Sequence, residues 1–179
     1  MNLPNRITLF RVFMIPVFLI FYLSDPLYES YGKLIALIIF IIASASDALD
    51  GHIARKYNLV TNFGKLMDPL ADKLLVAAAL VALTSRGVLP AWVTVLIISR
   101  EFVITGLRQL ALEQNIVIAA SFWAKLKTVS QMIMIVYLLA AFPESQITVI
   151  IKWLLIIITA ALTVLSAVEY TVKNKGVLK

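Results

Sequence analysis

Apolar runs long enough to cross a hydrocarbon layer of ~30 Å recur six times along the chain, at residues 3–23, 33–57, 66–84, 89–112, 122–142 and 147–170. Their length and apolar content predict a transmembrane helix for each. Short polar interruptions separate them: Ser24-Asp25-Pro26, Ser85-Arg86-Gly87 and Phe142-Pro143-Glu144 each read as a turn. No linker is long enough to divide the chain, and no internal repeat or low-complexity tract is present. The expectation is an all-α integral membrane protein of six transmembrane helices, with residues 1–179 forming a single membrane domain. The first run differs from a signal peptide in having Pro4, Arg6 and Arg11 spread along it and no small-residue cleavage site after it, so it is expected to be retained.

Composition agrees. A hydrophobic content of 61% excludes a soluble domain of ordinary make-up. Cysteine is absent, which rules out disulfides, thiolate metal sites and a cysteine nucleophile. With the N-terminus placed in the cytoplasm, Arg6, Arg11, Arg55, Lys56, Lys65, Arg108, Lys125, Lys127, Lys173, Lys175 and Lys179 fall on that side, and Lys33, Arg86 and Lys152 fall opposite. The net charge of +6 is therefore read as a positive-inside bias and an attraction to anionic headgroups, not as a nucleic-acid surface. A cytoplasmic (plasma) membrane location with both termini cytoplasmic follows as the expected topology.

Against this background four aspartates stand out. Asp47 and Asp50 close the second run, and Asp68 and Asp72 open the third. An ionised carboxylate at membrane depth is costly unless it faces protein, water or a cation. On a helix, offsets of three, four and seven return to one face, so Asp47, Asp50, Gly51 and Ala54 share a stripe, and Gly64, Asp68 and Asp72 share another. Gly51 and Ala54 leave their stripe without bulk and permit close approach of a ligand. A turn over residues 58–63 would bring the two helix ends together as antiparallel neighbours, placing the active site at the cytoplasmic ends of helices 2 and 3. Pro69 suits the first turn of the third helix, where its missing N–H costs nothing.

Hard oxygen donors without His or Cys favour Mg²⁺ or Mn²⁺ over zinc. Four carboxylates exceed the charge of one divalent ion, so two ions about 3.5–4 Å apart are expected. Such a pair points to phosphoryl transfer, with a carboxylate available as general base and Arg55 placed to meet a phosphate. The plainer explanation is that acids at a helix end are interfacial, or that a helix N-terminus favours an acid, which suits Asp68 alone; it would serve for one or two residues but not for four acids, two glycines, Ala54 and Arg55 at fixed spacing.

The string Asp47-Ala-Leu-Asp50-Gly51-His-Ile-Ala54-Arg55, followed by Gly64-Lys-Leu-Met-Asp68-Pro-Leu-Ala-Asp72, resembles the signature of the CDP-alcohol phosphatidyltransferases and departs from it nowhere. The resemblance implies a six-helix membrane enzyme, usually a homodimer, that moves a phosphatidyl group from CDP-diacylglycerol to an alcohol and releases CMP. It also implies that Asp47, Asp50, Asp68 and Asp72 hold two divalent cations and that Asp72 is the base. By the same resemblance Asn5, Thr8, Gly51, Ala54, Arg55, Thr61 and Gly64 bind CDP-diacylglycerol.

Basic residues also recur inside the apolar runs: Arg100 and Arg108 in the fourth, Lys125 and Lys127 at the start of the fifth. Snorkelling to the headgroups accounts for Arg108, Lys125 and Lys127 singly, less so for mid-span Arg100. Glu101 adjoins Arg100, but neighbours on a helix point about 100° apart and are expected to pair poorly. Together the four cations suit an anion, such as the phosphate of an acceptor. The segments Asn2 to Arg11, Ser99 to Phe102, Thr105 to Arg108 and Lys125 to Thr128 resemble those family members that use sn-glycerol 3-phosphate, which implies phosphatidylglycerophosphate as product. Alternatives are the same chemistry on phosphatidylglycerol or an inositol phosphate, or a cation transporter. Against the transporter, no polar residues continue from the acids toward the far side. His52, the one histidine, lies off the stripe and reads as interfacial. Ser44 and Ser46 read as small packing residues, and Trp92, Trp123 and Trp153 as lipid-facing or interfacial aromatics.

Overall fold

The computed structural model describes the backbone of residues 3–56, 62–114, 116, 118 and 121–174, and the side chains of residues 7–46, 70–114, 116, 118 and 121–174. Six long helices account for most of it: α1 (Leu3–Leu23), α2 (Lys33–Lys56), α3 (Asn62–Ser85), α4 (Ala91–Glu113), α5 (Phe122–Leu139) and α6 (Gln146–Lys173). No strand occurs among the described residues. Each helix falls on one of the apolar runs, and the ends differ by a few residues. The chain forms two compact units, Met1–Val88 with Leu139–Ala141, and Leu89–Leu138 with Phe142–Lys179.

In the first unit α1 packs along both α2 and α3. Its buried positions, Thr8, Arg11, Ile15, Phe18 and Tyr22, recur at three and four residues and form one stripe. Opposite them, α2 presents Ala36, Phe40 and Ala43, and α3 presents Ala71, Leu75, Ala79 and Leu83. Alanines at these contacts let the backbones come close, which is how helices gain packing energy when lipid is as apolar as the core. Phe18 stacks on Tyr22 at 5.8 Å between ring centroids and tilts against Phe40 at 6.3 Å.

The outward faces are also apolar: Leu9, Phe10, Phe13, Ile20, Leu34, Ile38, Leu74, Val95, Phe102, Val103 and Ile157 are exposed. Exposed rows of this kind suit lipid as the surrounding medium, and the protein is an integral membrane protein. The segments Asp25–Ser46, Phe122–Leu139 and Gln146–Lys173 are each long and apolar enough to cross a membrane, and Ile7–Leu23 is a shorter apolar helix. In α4, any membrane-length stretch contains Arg100, Glu101 and Arg108, and these charges lower its apolarity. Trp92, Trp123 and Trp153 are exposed, as expected for lipid-facing or interfacial rings.

One end of the first unit is closed by Arg86. Its Nε donates to the Tyr22 carbonyl at 3.2 Å, its Nη2 to the Leu23 carbonyl at 2.7 Å, and its Nη1 pairs with Asp25. The guanidinium thereby satisfies carbonyls that the C-terminus of α1 leaves without helical partners. The Tyr28 ring lies between Arg86, at 4.2 Å, and the Lys33 ammonium, at 4.5 Å. α3 ends where the Ser85-Arg86-Gly87 turn was expected. Gly87 adopts φ +69°, its N–H bonds the Thr84 carbonyl at 2.9 Å, and the Val88 N–H bonds the Leu83 carbonyl at 3.0 Å. That is a Schellman ending, which favours glycine because the left-handed conformation carries no Cβ penalty there.

In the second unit α4 packs on α6. Val93, Ile97, Arg100, Ile104, Leu107 and Ala111 form the buried stripe of α4, and Ile156, Thr159, Ala160, Thr163, Ser166 and Tyr170 that of α6. α6 starts at a capping box: the Thr148 N–H donates to Ser145 Oγ at 3.2 Å and the Ser145 N–H to Thr148 Oγ1 at 2.8 Å.

A turn of π-helix, Tyr28–Gly32, leads into α2 and brings Gly32 against backbone. A Cβ on Gly32 would stand 2.4 Å from the Phe21 carbonyl oxygen and 2.6 Å from that of Leu27. Gly32→Ala is therefore expected to destabilise the protein by an overpacking cost of about 1–3 kcal/mol. The check is the thermal unfolding midpoint in detergent, which should fall; an unchanged midpoint contradicts the close approach.

Candidate active site

α2 is unbroken through Asp47, Asp50, Gly51, Ala54 and Arg55, and α3 through Gly64, Asp68 and Asp72, which is the helical continuity the spacing requires. Beyond that backbone, Asn5, Asp47, Asp50, Gly51, His52, Ala54, Arg55, Gly64 and Asp68 lie outside the described residues, and Thr61 does so altogether. Two expectations need correction. α3 begins at Asn62, so Asn62 and Phe63 are helical rather than part of the turn. Pro69 is consequently interior to α3 instead of in its first turn, and the helix forgoes the bond to the carbonyl four residues earlier. The same early start takes Asp68 out of the first turn, where the helix dipole would have favoured it.

Asp72 is the signature carboxylate whose side chain is described. It is 49% exposed, and its Oδ1 lies 3.5 Å from Nη1 of Arg11, which is fully buried. The Arg11 Nε also reaches Ser46 Oγ at 3.4 Å, and Ser46 donates to the Ala43 carbonyl at 2.7 Å. One cation on the buried stripe of α1 thus touches α2, next to Asp47, and α3, at Asp72. Sequence reasoning gave Arg11 no part in the site. Its place three residues after Thr8 and four before Ile15 was the signal that it points inward. Thr8 is itself fully buried, one turn away on the same stripe. Ser46 does more than pack, because it takes part in this polar contact.

A half-open carboxylate is an oxygen donor of the kind that hard divalent cations accept, so Asp72 fits a magnesium-like ligand set. Among the described residues alone, no group of three or more His, Asp or Glu gathers.

In the second unit, Glu101 of α4 accepts from Arg100 Nη1 at 3.1 Å and from Lys127 Nζ of α5. The expectation that Arg100 and Glu101 pair poorly is therefore corrected. Adjacent Cβ atoms do diverge, but the arginine arm is long enough to curl back to its neighbour. Arg100 and Lys127 are buried, the side chains retaining 8% and 2% of their exposure, while Glu101 retains 27%. The Arg100 Nε and Nη2 are buried with no hydrogen-bond partner. Buried donors on a cation are costly to leave unmade, so this edge is set for an anion. Arg108 stands two turns further along α4, about 12 Å on the axis. It is half-buried, its Nε donates to Tyr170 Oη at 2.8 Å, and its guanidinium lies 5.5 Å from the Tyr170 ring centre. Lys125 is exposed at the start of α5. Arg100 and Lys127 thus meet on one carboxylate, whereas Arg108 is held on α6.

Glu101 was considered as a partner of Arg100 alone, and its contact with Lys127 was missed; Tyr170 was missed altogether, because nothing in local spacing marks a residue 62 positions from its partner.

The fold and these sites define a helical integral membrane protein with charges built into both of its units. A sequence profile of the CDP-alcohol phosphatidyltransferase family matches residues 1–165. A CDP-diacylglycerol–glycerol-3-phosphate 3-phosphatidyltransferase of Bacillus subtilis is 44% identical, covering 99% of this chain and 97% of its own. The enzyme of the same name from Haemophilus influenzae is 40% identical over 99% of this chain and 95% of its own. A probable phosphatidylglycerophosphate synthase of Mycobacterium tuberculosis is 45% identical over 75% of this chain and 64% of its own. The chain belongs to the CDP-alcohol phosphatidyltransferase family.

Removing the shared carboxylate by Glu101→Leu strips two buried cations of this counter-charge. A loss of stability on the order of 3 kcal/mol is expected, read as a lower unfolding midpoint in detergent. A variant as stable as the parent would mean that Arg100 and Lys127 do not depend on Glu101.

Proposed function

We propose that this protein transfers the phosphatidyl group of CDP-diacylglycerol to sn-glycerol 3-phosphate, giving phosphatidylglycerophosphate and CMP. The observation that carries the reading is the buried, unpartnered edge of Arg100 beside Lys127 and Glu101, because an acceptor bearing its own phosphate supplies the anion such an edge lacks. The names of the relatives from Bacillus subtilis and Haemophilus influenzae support the same acceptor. The family match runs through both units, which supports one catalytic domain.

In this reading all six helices cross the cytoplasmic membrane, both termini are cytoplasmic, and the active site lies at the cytoplasmic ends of α2 and α3. The protein works as a homodimer. Asp47, Asp50, Asp68 and Asp72 would hold two Mg²⁺ or Mn²⁺ ions, which when bound offset the charge of the pyrophosphate and of the departing CMP. Asn5, Thr8, Gly51, Ala54, Arg55, Thr61 and Gly64 bind the CDP-diacylglycerol headgroup, whose acyl chains stay in lipid. Arg100, Arg108, Lys125 and Lys127 bind the acceptor phosphate and orient the acceptor, which supplies much of the rate enhancement. Asp72 takes the proton from the primary hydroxyl of the acceptor as that oxygen attacks the phosphorus carrying diacylglycerol. The new P–O bond forms as the P–O bond to CMP breaks, so the pyrophosphate linkage is consumed and one CMP leaves per lipid made.

Purified protein in detergent is expected to release CMP from CDP-diacylglycerol only with both glycerol 3-phosphate and a divalent cation, and chelation should abolish release. Turnover with phosphatidylglycerol or inositol phosphate in place of glycerol 3-phosphate would overturn the acceptor. Asp72→Asn should lower kcat by about 100-fold or more while the protein stays folded; normal turnover rejects the base assignment.

A further inference from the structure

The acceptor cations are not equally held. Arg100 and Lys127 share Glu101, but Arg108 has no carboxylate beside it among the described residues; what it has is a phenol. Tyr170 is 2% exposed, wedged with Ile104 and Leu107 of α4 in a small apolar cluster that also takes Ile118. Its hydroxyl accepts from Arg108 Nε at 2.8 Å. A guanidinium fixed through Nε keeps its two terminal nitrogens side by side, and that pair is the fork that binds two oxygens of a phosphate at once. An arginine without such a hold spends its binding energy on ordering a long side chain. Tyr170 lies past the end of the family match at residue 165, so the family profile says nothing about it.

We propose that Tyr170 is a positioning residue for acceptor binding: from the last helix it holds Arg108 by Nε and turns the terminal nitrogens of the guanidinium toward the acceptor's phosphate. The inference rests on the reading of Arg108 as an acceptor-phosphate ligand. It assigns the C-terminal part of α6 a share in substrate affinity, with no contact of its own to the substrate.

Tyr170→Phe tests it, because the ring remains on Ile104 and Leu107 while the hydrogen bond is lost. Steady-state kinetics of the full-length protein in mixed micelles should show the KM for glycerol 3-phosphate raised roughly three- to ten-fold. The kcat and the KM for CDP-diacylglycerol should stay as in the parent. In an Arg108→Ala background the Tyr170→Phe change should add nothing further, since the group it positions is gone. If Arg108→Ala raises the glycerol 3-phosphate KM and Tyr170→Phe does not, the positioning role is overturned and the acceptor site stands. If neither variant changes that KM, the acceptor site itself is overturned and the inference with it. A Tyr170→Phe protein with reduced kcat, raised KM for both substrates and a lowered unfolding midpoint would show a purely structural role and also reject the proposal.

Discussion

A charge withdrawn from water must find an opposite charge or a set of polar partners within a few ångströms, and this requirement organises the interior of the protein. Arg11 lies wholly inside the first unit and reaches Asp72 and Ser46; Lys127 and Arg100 lie inside the second and reach Glu101. Breaking a pair of this kind costs more than an unburied pair would, because the remaining charge has no solvent to turn to. The contacts of Arg11 with Asp72 and Ser46 and of Lys127 with Glu101 join residues of different helices, so they also limit how those helices slide and rotate. Polar contacts are thus part of the packing of a body whose other contacts are almost all apolar.

Where apolar contacts act alone, they do so through small side chains. Ala36, Ala43, Ala71 and Ala79 sit at the joints of α1 with its neighbours, and Gly32 admits carbonyl groups to within a distance that no Cβ allows. Lipid gives helices little hydrophobic reason to associate, and close backbone approach replaces it. Arg86 closes the end of α1 by hydrogen bonds to carbonyls that the helix itself leaves open, and Gly87 ends α3 beside it.

Much of this was legible from residue order. The six helices follow the six apolar runs because length and uniform apolarity are strong signals, and the turn at Gly87 follows from glycine's tolerance of positive φ. The start of α3 was not legible. Asn62, Gly64 and Lys65 are too polar or too small to extend an apolar run and cut Phe63 off from it, yet all four are helical, and Pro69 was misread because the boundary was placed by hydropathy. The helical spacing of the signature acids was legible, and of those acids the described contacts reach Asp72. What stayed hidden was partnership across distance. Arg11 with Asp72, Lys127 with Glu101 and Arg108 with Tyr170 are pairings between helices, and single-sequence periodicity carries no information on which helix faces which.

The sharing of Glu101 has a further consequence for selectivity. Glu101 takes both Arg100 and Lys127, and part of the Arg100 guanidinium stays buried and unmatched. If the acceptor docks there as proposed, a neutral polyol would lose its hydration without a charge-assisted hydrogen bond to replace it, whereas an oxyanion would accept from the unmatched nitrogens. Discrimination would then begin with electrostatic sign, ahead of any fit to the outline of the molecule.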